Sequence, residues 1–176
     1  AGTDTIDASS MTAGLTVKYA VSDALNSTDT ITAGTSTADV LQRTYSTGAA
    51  QLNNVTGVET IKGGSDLAQT ITTVDGNVAA TKTLTIDMTA NAATTATVNI
   101  SAETDGEVTV LGGASANNVT LSASSIGDTF TGGVGTDGVT VAVAQLTAAD
   151  PLNGVSGTDT LTLRAAGVLS DADLTG

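Results

Sequence analysis

Residues 132–140 read Gly132-Gly133-Val134-Gly135-Thr136-Asp137-Gly138-Val139-Thr140, a Gly-Gly-x-Gly-x-Asp-x-apolar-x string. Each residue type in it has its own chemical use. Asp137 offers a hard carboxylate oxygen, the donor that Ca2+ prefers. Gly133 and Gly135 leave backbone carbonyls free to approach a cation, and glycine tolerates the φ > 0 that a tight turn is expected to need. Val139 then points inward as the chain enters a short strand.

Two degenerate relatives precede this string. Gly112–Thr120 keeps the double glycine and the apolar place, with Asn117 where the acid would be. The segment 123–131 keeps Asp128 and Phe130 at the acid and apolar places. If Gly112 and Gly132 begin equivalent turns, stacking brings Asn117 and Asp137 to the same side. Asn117 can offer only an uncharged carbonyl oxygen, so a site shared with it is weaker than one between two aspartates. Asp4, Asp29 and Asp159 occupy a smaller recurring unit, small residue–x–acid–Thr–apolar, and Asp66 follows Gly63-Gly64-Ser65. For Asp4, Asp29 and Asp159 two readings stay open: a calcium ligand, or an acid that caps its own turn.

Elements that would carry these side chains are strands. Thr83-Leu84-Thr85-Ile86, Thr97-Val98-Asn99-Ile100, Glu107-Val108-Thr109-Val110 and Thr160-Leu161-Thr162-Leu163 all alternate apolar with polar, as a half-buried strand does. Gly, Asn, Asp and Ser punctuate them as turns. Helical windows are short: 36–43, 142–149 ended by Pro151, and 165–174. The segment 52–61 matches 152–161 in kind at nearly every place, and the acid-Thr-apolar unit recurs at irregular spacing. The expected fold is all-β, a parallel β-solenoid or β-roll with irregular rungs and few short helices; β-sandwich domains are the alternative. Residues 1–176 read as one continuous domain with a soft boundary near 75–80, cut from a longer repeat-containing chain.

Composition narrows the chemistry. Among 176 residues, 18 are acidic and 5 basic, a formal charge of −13. Nucleic acid and anionic membrane surfaces select basic patches, so neither is an expected partner. With no Cys and no His, thiolate nucleophiles, disulfides, a Ser-His-Asp triad and a zinc hydrolase site cannot be built. Three aromatic residues, Tyr19, Tyr45 and Phe130, leave little for base stacking. No apolar run reaches the roughly 18 residues of a membrane-spanning helix. An enzyme is therefore not expected.

The nonapeptide, the string Asn54-Val55-Thr56-Gly57-Val58-Glu59-Thr60-Ile61 and the string Gly157-Thr158-Asp159-Thr160-Leu161-Thr162-Leu163 resemble RTX-type, type I-secreted surface proteins of Gram-negative bacteria, above all surface-layer (S-layer) proteins of the Caulobacter kind. That resemblance implies a Ca2+-dependent β-roll with two nonapeptides per turn and secretion to the cell surface. It also implies self-assembly into a lattice, held to outer-membrane polysaccharide through another part of the chain. The sequence holds one complete nonapeptide instead of a long array. Three other functions compete: an RTX adhesin segment, a β-helix enzyme acting on polysaccharide, and an ice-binding module. The last needs evenly spaced Thr-x-Thr pairs, and along the sequence these pairs are irregular.

Overall fold

The computed structural model describes residues 2–19, 25–44, 52–65, 68–92, 94–124 and 126–169. They form fifteen strands and, among the described residues, no α-helix; one 3-10 turn lies at Asp75–Asn77. The strands are β1 Thr5–Asp7, β2 Thr16–Tyr19, β3 Thr30–Thr32, β4 Val40–Arg43, β5 Val55–Thr56, β6 Thr60–Lys62, β7 Gln69–Thr72 and β8 Thr83–Asp87. There follow β9 Ala96–Asn99, β10 Glu107–Leu111, β11 Asn117–Thr120, β12 Thr129–Thr131, β13 Gly138–Ala142, β14 Leu152–Asn153 and β15 Thr160–Arg164.

Every strand pairs in parallel with a strand of a neighbouring coil, which makes the fold a parallel β-solenoid and excludes a sandwich. Sheet A holds β1, β3 and β5; sheet B holds β2, β4, β6, β8, β10, β12 and β14; sheet C holds β7, β9, β11, β13 and β15. Seven rungs in sheet B correspond to about six full turns. Sheet B runs unbroken past residues 75–80. The other two sheets divide there: sheet A ends at β5, and the 3-10 turn packs against β5 in place of a further strand.

Alternation becomes inner columns. In sheet B, Val17, Leu41, Ile61, Ile86, Val110, Phe130 and Leu152 stack in register. In sheet C the column is Ile71, Val98, Val119, Val139 and Leu161, and in sheet A it is Ile6, Ile31 and Val55. Ile31, Leu41, Ile71 and Ile86 are fully buried. Each such side chain stabilises the fold by roughly 1.5–3 kcal/mol relative to staying exposed. Outward positions are mostly Thr: Thr72, Asn99, Thr120, Thr140 and Thr162 form one file along sheet C.

Coil length is not constant. Thr5 pairs with Thr30, Val40 with Thr60, and Gln69 with Ala96, offsets of 25, 20 and 27 residues, and the other registers fall between these limits. These exceed the 18 of a regular β-roll. Turns absorb the difference, so the Thr files stay in register although their sequence spacing is irregular. Among the described residues the expected helices are absent. Residues 40–43 of the first window are strand β4, and 142–149 is the end of β13 followed by turns. Up to residue 169 the third window holds no helix, and 170–174 lie outside the described residues. In the first window, alternating burial over 40–43 outcompeted weak helical propensity.

The related segments 52–61 and 152–161 share a local form, strand, glycine turn, strand, but at different corners. The first links sheet A to sheet B, and the second links sheet B to sheet C. Both turns need a left-handed glycine, Gly57 at φ 73° and Gly157 at φ 130°.

Ile86→Ala should lower the unfolding free energy by about 3–4 kcal/mol, whereas Thr85→Ala on the outer face should change it by less than about 1 kcal/mol. Urea denaturation followed by circular dichroism checks both.

Candidate metal centre

Acids placed just before strands share one geometry. A parallel ladder leaves the backbone N–H at its start without a strand partner. Here a carboxylate from the next coil accepts it. Asp29 Oδ1 accepts the N–H of Asp4 at 2.9 Å, Asp39 that of Leu15 at 2.6 Å, and Glu59 Oε2 that of Asp39 at 2.9 Å. Asp128 accepts from Val108 at 3.0 Å and Asp150 from Asp128 at 2.8 Å. Asp137 accepts from Asn117 at 2.8 Å and Asp159 from Asp137 at 2.9 Å. Several second oxygens tie down the acid's own turn: Asp29 Oδ2 accepts Asn26 N–H, Asp128 Oδ2 accepts Ser122 N–H, and Asp137 Oδ2 accepts Gly133 N–H.

The nonapeptides do stack as their spacing implies. The Gly112 N–H donates to Thr131 O, and Asn117 and Asp137 lie on the same side, with Asn117 Nδ2 also donating to Asp137 Oδ1 at 2.8 Å. Gly133 and Gly135 are required for close approach. A Cβ on Gly133 would run into the Gly113 carbonyl oxygen, and one on Gly135 into the backbone at Ser115 and Ala116. None of Gly132, Gly133, Gly135 and Gly138 has positive φ, so the left-handed turn expected of them is corrected: crowding by the preceding coil, not backbone twist, selects glycine.

Asn117, Asp137 and Asp159 therefore form one column at the start of sheet C, with Gly133 and Gly135 beside it. Asp128 stands in a separate column with Asp150, and Asp4 and Asp29 stand at the start of sheet A. Asp66 lies outside the described residues. Asp29, Asp128 and Asp137 are each about 2% exposed. Burial pushes the Asp128 carboxyl up, the backbone and side-chain bonds from Ser122 and the amide of Val108 oppose it, and Asp150 adds to the rise. Asp29 is held low, chiefly by the amides of Asn26 and Asp4.

A different set of acids converges. Asp75, Glu103 and Asp105 each place a carboxylate oxygen within 4.8 Å of the other two, an acidic cluster able to hold a metal ion. Asp75 sits on the 3-10 turn, and Glu103 and Asp105 sit on the turn one coil later. Glu103 Oε1 accepts the N–H groups of Thr104, Asp105 and Gly106 at 3.0, 3.0 and 2.8 Å. Asp75 Oδ1 accepts from Thr104 N–H at 3.0 Å and Thr104 Oγ1 at 2.6 Å. All donors offered are hard carboxylate oxygens. Sequence reasoning missed this cluster because Asp75 and Glu103 meet only once the coil length is known. The string Glu103-Thr104-Asp105-Gly106 was the available signal, two acids ahead of a glycine turn.

Comparison with known proteins finds no matching family model, no similar curated protein and no similar solved structure. What stands is the fold, a parallel β-solenoid of about six turns, with an acidic cluster on it.

The sign of the Asp29 shift fixes a pH dependence. Its folded pKa lies below the ordinary 3.8, so its contribution is present above that value and disappears as pH falls through the folded pKa. The stability difference between wild type and Asp29→Asn should be constant above about pH 5 and shrink below pH 3.8. Denaturant titrations between about pH 3 and pH 7 measure it.

Proposed function

We propose that the chain is a non-enzymatic structural protein of the cell surface: an exported, Ca2+-stabilised solenoid that assembles with copies of itself into a layer of the S-layer type. The single observation that carries this reading is the solenoid's construction. Successive coils join edge to edge through parallel strands and through carboxylates that reach from one coil back to the amides of the preceding one. A body built this way presents strand edges and acidic turns, the two features that pair or bridge neighbouring subunits.

Net charge supports the calcium part. At −13, the chain repels itself, and bound divalent cations relieve that repulsion. Bound Ca2+ would supply localised positive charge and hard-oxygen coordination. Asp75, Glu103 and Asp105 fit that demand in donor type and spacing. In the column Asn117, Asp137 and Asp159, the Asp137 oxygens and one Asp159 oxygen already accept N–H groups, and there the acids tie coil to coil. At extracellular Ca2+ near ten times Kd, each site stabilises the folded chain by about 1.4 kcal/mol. Attachment to outer-membrane polysaccharide would belong to another part of the protein.

A second reading draws on the Thr file of sheet C. Thr72, Asn99, Thr120, Thr140 and Thr162 are in register on strands about 4.7–4.9 Å apart, a strip that bears hydroxyls at every place but Asn99, of the kind an ice-binding module needs. Thermal hysteresis measurements separate it from the structural reading.

Ca2+ added to EGTA-treated protein should raise light scattering and give two-dimensional arrays in negative-stain electron microscopy, reversed by EGTA. A protein that stays monomeric at millimolar Ca2+ contradicts the lattice reading.

A further inference from the structure

Two buried carboxylate oxygens lack any hydrogen-bond partner among the described residues, Asp39 Oδ2 and Glu103 Oε2. Asp39 stands outside any converging group of acids. Glu103 belongs to the cluster with Asp75 and Asp105, and its side chain is fully buried, at 0% exposure. Its Oε1 is saturated by three backbone N–H groups while its Oε2 has none. A carboxylate oxygen out of water with no donor is costly, and a cation is the partner that three converging carboxylates would take.

We propose that Asp75, Glu103 and Asp105 form a Ca2+ site that clamps two successive coils at the place where sheet A ends. This deepens the calcium part of the proposed function and rests on it. Two oxygens bound to one Ca2+ can lie up to about 5 Å apart, and these three lie within 4.8 Å of one another. Asp75 and Asp105 are exposed, so water can complete the six to eight ligands that Ca2+ takes, in the irregular geometry that it tolerates better than Mg2+ does.

Position gives the site its purpose. Up to β5, sheet A links neighbouring coils by strand pairing. Beyond β5 that face is made of turns. There the link between the turns at 75–77 and 103–106 consists of Thr104 donating to Asp75, with Thr81 N–H donating to Asp105 O alongside. A cation held by Asp75 from one coil and by Glu103 and Asp105 from the next replaces the missing ladder with ionic bonds.

Calorimetric titration of EGTA-stripped chain with CaCl2 tests this, using D75N, D105N and E103Q, with D87N as a control acid that faces Lys62 outside the cluster. Wild type and D87N should bind the same number of ions. E103Q should bind one fewer, and D75N and D105N should weaken that site at least tenfold. Ca2+ should also slow hydrogen exchange at Thr104, Asp105 and Gly106 in wild type and not in D105N. D75N and D105N alter exposed side chains, so they keep the test decisive if E103Q fails to fold. Loss of the site in these two variants upholds the proposal even if Ca2+ assembles nothing, and the lattice reading alone then falls. Unchanged binding in all variants overturns the proposal even if Ca2+ drives assembly.

Discussion

A backbone N–H at the start of a parallel strand, answered by a carboxylate one coil further on, is the interaction on which this solenoid depends. Seven acids make it: Asp29, Asp39, Glu59, Asp128, Asp137, Asp150 and Asp159. Each stands just before a strand or at the matching place in its coil. Each therefore pins the register of its pair at the start of the ladder. A slip of one residue would break that bond and turn an inward side chain such as Ile31 or Leu41 outward.

Because register is set at the strand starts, the turns are free to vary. That is why coils of 20 to 27 residues stack without disturbing the inner columns. The core has few rings: among the described residues, Phe130 is fully buried, and Tyr19 packs partly buried against the core cluster. Hydrogen bonds to charged groups contribute about 1.5–3 kcal/mol each, comparable to a buried valine or leucine. Arg43 shows the opposite balance: it is buried, donates to Thr70 O, and desolvation pulls its guanidinium down to about 10.

Much of this was legible in the residues. Alternation in 83–87, 107–111 and 160–164 gave the strands, and the recurring acid-Thr-apolar unit marked where strands begin. The spacing of Gly112 and Gly132 foretold that Asn117 and Asp137 would stack. Two things were not legible. Short windows such as 36–43 carry no cap or stripe strong enough to tell helix from strand, and only the core decided. Coil length was hidden because it varies, so the meeting of Asp75 with Glu103 and Asp105 could not be read from their separation. The Gly-x-Asp strings also admitted two chemistries, cation binding and backbone capping, that use the same carboxylate oxygens; which of them acts depends on where the neighbouring coil's amides fall.

The most direct measurement is NMR of the amide protons of Asp4, Leu15, Asp39, Val108, Asn117, Asp128 and Asp137 across an acid titration. The account predicts that all seven are shifted downfield and protected from exchange at neutral pH. Each should then move upfield as the partner carboxylate one coil later takes up its proton. Amides that exchange as freely as exposed ones, with shifts indifferent to pH, would contradict it.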